Sequence, residues 1–575
     1  MVNRIINKGK EIFTSPQTSI LSAATLIMFM VATSRVLGLV RQRALAHFFT
    51  TSDLSLFFAA FRLPDTIFEV LVFGTFSSAF IPVFAKLAKK EEKDAWLLAS
   101  DIANIGLLIF VVLAMVMIVF AKNLYQFVAP GFSYQEQTQI VALTKILFLA
   151  QGFFVISYVL TGVLESMRRF LLPALAPIFY NLGIIIMTVL FSSRLGLMAP
   201  VWGVFLGAFL HFVIQLPLAI KLGFRFRPKI IIDENVRKIG KLAAPRVLEV
   251  SFLQISKTVE LYFSSIISVA SYTYYTFGNT LQLLPVGLFG TSIAKAALPT
   301  LSRLSDNVEE FSRALFRSLF QMTFVITPLA AFLIVLRIPI VRLVFGTDIF
   351  TWESTVQTGM VVSAFAFGIV SQAVAALLAR GFYALHDTKT PVLISISSIV
   401  VTIFLDYLFI SVLHLPVWGL AAAFSIGSLL QATTLYYFIN KGINGRFVFR
   451  HLTPFLKHLV ASLSAGMVMY FLLKFFDQSV WVKRLSFLGT IDITKNIPFQ
   501  KFVLDTRYTG NLLILTTAVV LIGILVYLAV SILLRTREVS TYSNLVKRVL
   551  FKRGVGKIPE KEQEIISISS SEGSD

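Results

Sequence analysis

The sequence has no cysteine and few charged residues for its length. The absence of cysteine excludes disulfide bonds, thiolate metal sites and cysteine nucleophiles. Only 14% of the 575 residues are charged, whereas a typical soluble domain carries about 25%. The six histidines show no metal-ligand spacing such as H-E-x-x-H. Together these shortages count against a soluble enzyme.

Two further motifs are missing. No G-x-x-x-x-G-K-[ST] loop is present, so ATP is not expected to drive the protein directly. No nucleophile elbow is present either, so we expect a non-enzyme without a bound cofactor. The net charge of +21 could suggest a nucleic-acid partner, but the basic residues lie between apolar segments and no aromatic-basic module is visible. That placement is typical of basic residues that orient a membrane protein.

What the chain has in abundance is long apolar runs, and 56% of its residues are hydrophobic. A helix of about 20 apolar residues crosses the hydrocarbon core of a bilayer, and lipid-exposed backbone must satisfy its own hydrogen bonds. We therefore predict an all-α integral membrane protein with about fourteen transmembrane helices. The predicted spans are 17–46, 55–85, 97–121, 138–165, 172–193, 198–220, 240–268, 270–301, 311–336, 355–380, 390–412, 416–439, 455–475 and 510–535.

Lysine and arginine are concentrated in alternate loops. The connections after the second, fourth, sixth and twelfth spans are basic, whereas those after the first, seventh and eleventh carry no Lys or Arg. The positive-inside rule therefore predicts that both termini are cytoplasmic. The loop at 476–509 is also basic and breaks the trend, but long loops follow the rule poorly.

An internal repeat divides the chain. Three pieces recur with a common offset of 216 residues: Phe73-Gly74-Thr75 with Phe289-Gly290-Thr291, Val201-Trp202-Gly203 with Val417-Trp418-Gly419, and Gln215 with Gln431. A unit of six helices returns the chain to its starting side, so the two copies should form parallel six-helix lobes, an arrangement found in transporters. We predict the following organisation: a cytoplasmic N-terminus 1–16, an N-lobe 17–220, a basic linker 221–239, a C-lobe 240–440, two extra helices with an extracytoplasmic loop 455–535, and a disordered cytoplasmic tail 536–575.

The first span carries Arg35 and Arg41 on either side of Gly38. Arginine binds phosphate oxygens through a planar fork, so an anionic head group is one expected partner. Anchoring of a helix end at the membrane interface is the alternative.

The seventh span carries Arg246, Glu249, Lys257 and Glu260 on one helical face. An ionisable residue inside a membrane is costly and usually faces a cavity or a partner. One interpretation is a charged stripe that lines a water-filled cavity. The other is two local ion pairs, Arg246–Glu249 and Lys257–Glu260.

Carboxylates within the spans are candidates for binding a coupling ion, either Na⁺ or a proton. The strongest candidates are Glu260 and Asp406, with Thr402 one helical turn before Asp406. Glu69 in the second span is a further candidate, and either Glu69 or Asp406 could instead pair with a cavity arginine. A structural hydrogen bond is the alternative for each of them.

The chain resembles the MurJ (MviN) lipid II flippase family in a series of ordered motifs between about residues 20 and 440. These are Ser34-Arg35-Val36-Leu37-Gly38 followed by Arg41, Phe57-Phe58-Ala59-Ala60-Phe61-Arg62-Leu63-Pro64, Phe76-Ser77-Ser78-Ala79-Phe80-Ile81-Pro82, Ala129-Pro130-Gly131-Phe132, Arg169-Phe170-Leu171-Leu172-Pro173-Ala174-Leu175-Ala176-Pro177, Leu284-Pro285-Val286-Gly287-Leu288-Phe289-Gly290, Gly381-Phe382-Tyr383 and Asp387-Thr388-Lys389-Thr390-Pro391.

The resemblance implies a flippase of the bacterial inner membrane, with two six-helix lobes and two further helices that hold the lipid tail. We expect it to act as a monomer. It implies that the undecaprenyl-pyrophosphate-linked peptidoglycan precursor is moved from the inner to the outer leaflet. It also implies alternating access driven by membrane potential, with a Na⁺ site in some members. By alignment, that site falls near Glu260 and Asp406.

The chain departs from the family pattern at several charged positions. Arg35 and Arg41 match the two arginines of the first helix, but the arginines of the second and eighth helices fall at Phe68 and Thr280. The acidic residue after Arg41 is Gln42, and the one that opens the second helix is Ser55, with Asp53 nearby.

We hypothesise that Arg246 and Lys257 replace the lost arginines, so that Arg35, Arg41, Arg246 and Lys257 bind the substrate. Because of the departures, two other functions stay open. One is a flippase for another lipid-linked oligosaccharide. The other is a transport-inactive scaffold that binds cell-wall synthesis proteins.

Overall fold

The computed structural model describes residues 20–75, 79–442, 452–477 and 503–543. The chain there is helical apart from short connections, and the long helical segments number fourteen. We number them α1 to α14: Ile20–Phe48; Thr51–Ala60 with Arg62–Thr75 and Ile81–Lys90; Glu92–Val128; Tyr134–Ser166; Leu171–Leu195; Met198–Val213 with Leu216–Leu222; Glu234–Ile267; Ser271–Pro285 with Val286–Gly290 and Thr291–Arg303; Val308–Val335; Trp352–Ala384; Lys389–Tyr407 with Leu408–Val412; Trp418–Gly442; Leu452–Phe476; and Thr509–Leu533.

Eleven helices in the described residues are long and apolar enough to cross a membrane. The segments outside that count are α1, the broken α2 and α7, which carry all of the intramembrane charges identified in the sequence except Asp406 of α11. The fourteen predicted spans match the fourteen segments in order. The all-helical fold class is therefore confirmed.

Two differences concern boundaries. The predicted linker 221–239 is shorter, because the second piece of α6 ends at Leu222 and α7 begins at Glu234. The Asp233 side chain accepts from the backbone N–H of Val236 and caps α7 earlier than hydropathy alone suggested. A segment of the tail predicted to be disordered is helical at 537–543, where the Tyr542 hydroxyl donates to the carbonyl of Gln321 at 3.1 Å. The predicted cytoplasmic N-terminus, residues 1–16, lies outside the described residues.

The interruption of α8 positions the site. Pro285 ends the regular α-helix and is followed by a π-helical turn, Val286–Gly290. Such turns occur mostly as single-turn bulges, often at functional sites. This turn places Gly287 directly against the guanidinium of Arg35: a Cβ at Gly287 would lie 2.7 Å from Nη2 of that arginine.

The two C-terminal helices pack on α9 of the C-lobe. Phe324 and Phe332 of α9 are buried with Met469 of α13 and Val519 of α14 in one apolar cluster. The Tyr527 hydroxyl of α14 donates to the carbonyl of Phe324 at 2.6 Å. Thus α13 and α14 are attached to the outside of the C-lobe.

Candidate functional site

A cavity of about 280 Å³ lies between α1, α2, α5 and α8. Residues of both lobes line it, and its charged side chains are Arg41 of α1 and Asp65 of α2. Its polar and apolar walls are formed by Gln42, Leu45, Phe57, Phe58, Phe61, Tyr180, Ile184, Tyr272 and Thr276. We call it the central cavity.

Arg41 is held in a fixed orientation at this cavity. Its Nη1 donates to Oδ1 of Asn181 at 3.1 Å, and its guanidinium carbon lies 5.9 Å from the ring centroid of Tyr180. Asn181 is itself fixed, because its Nδ2 donates to the carbonyl of Pro177 at 3.1 Å. None of these partners is a carboxylate, so the positive charge of Arg41 remains available to an anion.

Asp65 is the acidic group of the central cavity, and the sequence analysis did not single it out. It accepts from Nε2 of Gln151 at 2.6 Å. This partner is a neutral amide and not a cation. The cavity therefore presents one cation and one carboxylate.

Two positions where the chain departs from the family pattern contact each other across the lobes. Nε2 of Gln42 donates to Oγ1 of Thr280 at 2.9 Å. Gln42 is 5% exposed. A neutral hydrogen bond thus joins the positions where the resemblance leads us to expect an acidic residue and an arginine.

A charged network joins α2 to α7 across the lobes. Arg62 donates to Gln254, which donates to Glu69, and Nζ of Lys257 lies 2.7 Å from Oε2 of Glu69. The alternative pairing of Lys257 with Glu260 is therefore wrong. Arg62 is buried, and sequence reasoning missed its role. Its only sequence signal was a charge within an aromatic stretch.

Arg246 lies elsewhere on α7. Its Nη1 is 2.5 Å from Oε2 of Glu249, so the ion pair suggested by their spacing is present. Both residues act electrostatically on the Tyr383 hydroxyl at the end of α10. Neither Arg246 nor Lys257 lines the central cavity in this conformation.

Phe68, at the position of the missing arginine of the second helix, is buried among aromatic rings. Its ring centroid lies 5.8 Å from that of Phe154 and 5.5 Å from that of Tyr158. The position therefore contributes packing to the N-lobe and no charge.

Arg35 lines a second cavity, of about 380 Å³, between α1, α4 and α5. Its walls are formed by Val31, Ser34, Glu165, Phe170, Pro173, Ala174 and Pro177. We call it the Arg35 cavity. Arg35 and Arg41, six residues apart on α1, thus face two different cavities.

The candidate coupling-ion residues lie in the C-lobe. Asp406 is 1% exposed, and neither of its carboxylate oxygens has a hydrogen-bond partner in the described residues of the chain. Glu260 is near enough to Asp406 for the two carboxyl groups to influence each other electrostatically. Thr402 is buried, and its Oγ1 donates to the carbonyl of Ser398 at 2.9 Å. Among the described residues no group of three or more His, Cys, Asp or Glu side chains converges on a metal position.

Direct contacts close the gap between the lobes at one end. Oγ of Ser55 lies 2.9 Å from Oγ1 of Thr273, and Nη1 of Arg43 donates to the carbonyl of Leu343 at 2.7 Å. The backbone N–H of Gly131 donates to Oγ of Ser265 at 3.2 Å. These residues lie near the loops after α1, α3, α7 and α9. We call this the closed end.

Comparison with known proteins identifies the family. A family model described as lipid II flippase MurJ matches residues 45–490, well over half of the chain. The chain belongs to the MurJ family of lipid II flippases. It is therefore a multi-pass membrane protein of a transporter family.

Individual MurJ relatives agree with this assignment over most of the chain. The probable lipid II flippases MurJ of Buchnera aphidicola subsp. Baizongia pistaciae and of Vibrio cholerae are each 29% identical to it. The matches cover 79% and 78% of this chain, respectively, and 88% of each relative. The lipid II flippase MurJ of Burkholderia cenocepacia is 26% identical over 76% of this chain and 86% of its own.

Solved structures give the same result for the fold. A lipid II flippase MurJ in an inward closed conformation matches with a TM-score of 0.71 and 26% identity, over 89% of this chain and 99% of that chain. An inward-facing MATE-family multidrug transporter matches with a TM-score of 0.59 over 71% of this chain and 94% of that one, but at 14% identity. The second likeness concerns the fold alone.

Proposed function

We propose that this protein moves lipid II, the lipid-linked peptidoglycan precursor, from the inner to the outer leaflet of the bacterial cytoplasmic membrane. Membership of the MurJ family supports the activity and the lipid-linked class of cargo. The observation that carries the proposal in this chain is Arg41, a cation that lines a cavity between the two lobes and has no carboxylate partner among the described residues. An intramembrane cation in such a place suits an anionic cargo.

In this proposal the pyrophosphate binds Arg41 and Arg35, and because these two arginines face different cavities in the present conformation, they bind it together only in another one. An arginine can donate two parallel hydrogen bonds to phosphate oxygens, and Asn181 already orients Arg41. Arg246 and Lys257 join the binding site only after they leave Glu249 and Glu69. Their contribution therefore belongs to another conformation of the transport cycle.

Alternating access follows from the closed end. By the positive-inside rule the loops at that end are extracytoplasmic and both termini are cytoplasmic. In the present conformation the cavities are then closed to the outer side of the membrane. Transport requires the two lobes to separate at the closed end. The lipid tail lies against α13 and α14, and the protein acts as a monomer.

We propose that coupling to Na⁺ or a proton involves Asp406, Glu260 and Thr402. Unpartnered buried carboxylate oxygens suit a hard cation with oxygen ligands, and the three residues would supply such ligands. We expect Asp406→Asn to abolish any dependence of transport on a Na⁺ or proton gradient. Gradient-dependent transport that persists in Asp406→Asn would rule out this placement.

The hypothesis of relocated charge has its own test. Arg246→Ala and Lys257→Ala should each reduce function, because each removes a cation that the cargo uses in another conformation. The measurement is growth of a strain depleted of its own lipid II flippase. Full growth with both variants would reject a substrate role for these two residues.

The same depletion strain separates the rival functions. Rescue by the unmodified chain supports lipid II transport. Failure to rescue, together with loss of another surface glycan when the gene is deleted, supports a different lipid-linked oligosaccharide. A deletion phenotype that Arg35→Ala and Arg41→Ala both complement supports a scaffold for cell-wall proteins.

A further inference from the structure

The carboxylate of Glu165 has no hydrogen-bond or ion-pair partner in the part of the chain that the structure describes. It lies on the last turn of α4 and lines the Arg35 cavity. The Glu165 backbone carbonyl accepts from the N–H of Arg168 at 3.0 Å, but within the described residues the side chains of Glu165 and Arg35 make no hydrogen bond or ion pair, with each other or with any other group. Burying a charge without a partner costs free energy. Such a side chain is a candidate for a partner that arrives with a ligand.

The cavity around Glu165 has a preformed shape. Its volume of about 380 Å³ lies in the range of roughly 300–1,000 Å³ that is usual for ligand pockets. Pro173 and Pro177 lie one turn apart on α5 and form a rigid apolar wall with Phe170. A cation and a carboxylate thus face one apolar-walled space without neutralising each other.

The arginines that lie near Glu165 in the sequence do not form an ion pair with its carboxylate. Arg168 and Arg169 follow it closely in the chain, and one guanidinium nitrogen of Arg169, Nη1, is buried without a hydrogen-bond partner. No ion pair joins any of these arginines to Glu165 among the described residues. The local cations therefore leave the carboxylate open, which favours a cationic ligand group at this point.

We propose that Arg35 and Glu165 form a two-charge subsite for the head group, in which Arg35 binds a phosphate oxygen and Glu165 binds a primary ammonium group of the same cargo. The proposal rests on the proposed function, because it assigns the anionic portion of the lipid-linked cargo to Arg35. It adds a determinant for the peptide, which is the portion of a lipid-linked glycopeptide that can carry a free amine. Glu165 would then distinguish amine-bearing cargo from cargo without an amine.

The test compares two cargoes in proteoliposomes that contain the full chain. One is lipid II with a free side-chain amine, and the other is the same molecule with that amine acetylated. Acetylation removes the positive charge, so the unmodified protein should bind and move the acetylated cargo at least about tenfold less well. Glu165→Gln should lose this discrimination, whereas Glu165→Asp should retain some of it. Arg35→Ala should reduce the binding and transport of both cargoes by the same factor.

A matched control is Glu309→Gln, which removes an exposed carboxylate at the start of α9 and should keep the unmodified ratio. The subsite is overturned if the unmodified protein does not discriminate, or if Glu165→Gln discriminates as the unmodified protein does. If the unmodified protein neither binds nor moves the free-amine cargo, the proposed function fails as well. The two failures are therefore distinguishable.

Discussion

Arg41 shows how neutral partners can prepare a charged side chain for a ligand. Asn181 fixes one nitrogen of the guanidinium and Tyr180 lies beside it, but neither cancels its charge. We expect Arg41→Ala to weaken lipid II binding about ten- to hundredfold, the scale of one or two charge-assisted hydrogen bonds. Arg41→Lys should recover only some of the affinity, because lysine lacks the planar fork.

Equilibrium binding of lipid II to the purified protein measures this effect. Arg313→Ala is a suitable control. It removes an exposed arginine of α9 that pairs with Glu309 and does not line the central cavity. Unchanged affinity in Arg41→Ala would place the head group elsewhere.

The contact between Gln42 and Thr280 predicts a coupled pair of substitutions. Gln42→Asp alone puts an unpaired charge at a buried position, which costs about 3 kcal/mol. Adding Thr280→Arg supplies a partner for that charge, so the double variant should regain most of the lost thermal stability. A thermal unfolding series on the two single variants and the double variant measures the coupling. Additive losses would show that the two positions do not interact.

At the scale of elements, the closed end depends on the approach of the α3–α4 loop to α7. A Cβ at Gly131 would overlap the carbonyl oxygen of Ser265, and backbone atoms cannot accommodate that overlap without moving. Gly131→Ala should therefore separate the two lobes at this end and shift the population towards the opposite conformation.

Cross-linking measures this shift with little background, because the natural chain has no cysteine. Cysteines introduced at Ser55 and Thr273 replace a direct hydroxyl contact, so they should cross-link readily in the unmodified background. Adding Gly131→Ala should lower the cross-linked fraction severalfold. An undiminished fraction would mean that Gly131 does not control closure.

At the scale of the whole molecule, some features of the structure could be predicted from the sequence and others could not. Eleven of the fourteen helices were predictable because length and apolarity suffice to identify a membrane span, wherever its neighbours lie. Arg35 and Arg41 were identifiable because a charge within a long, mostly apolar run is conspicuous. The start of α7 at its Asp233 cap could not be predicted in this way, because hydropathy carries no information about helix caps.

Partners of the charges could not be predicted. Lys257 and Glu69 are 188 residues apart, and Gln42 and Thr280 are 238 apart, so their pairing depends on how the lobes pack. Local spacing favoured Glu260 for Lys257, but the packing of α2 against α7 brings Glu69 closer. Gln254 and Arg62 were overlooked because a polar residue in a helix gives no sign of bridging two lobes.

We expect the two lobes to carry lipid II across the membrane through the cavities that contain Arg35 and Arg41. The most direct measurement is translocation of lipid II in proteoliposomes, read by leaflet-specific labelling, for the unmodified chain and for the Arg35→Ala, Arg41→Ala double variant. We predict translocation by the unmodified chain and its loss in a double variant that still folds. Equal translocation by both proteins, or none by the unmodified chain, would contradict the claim.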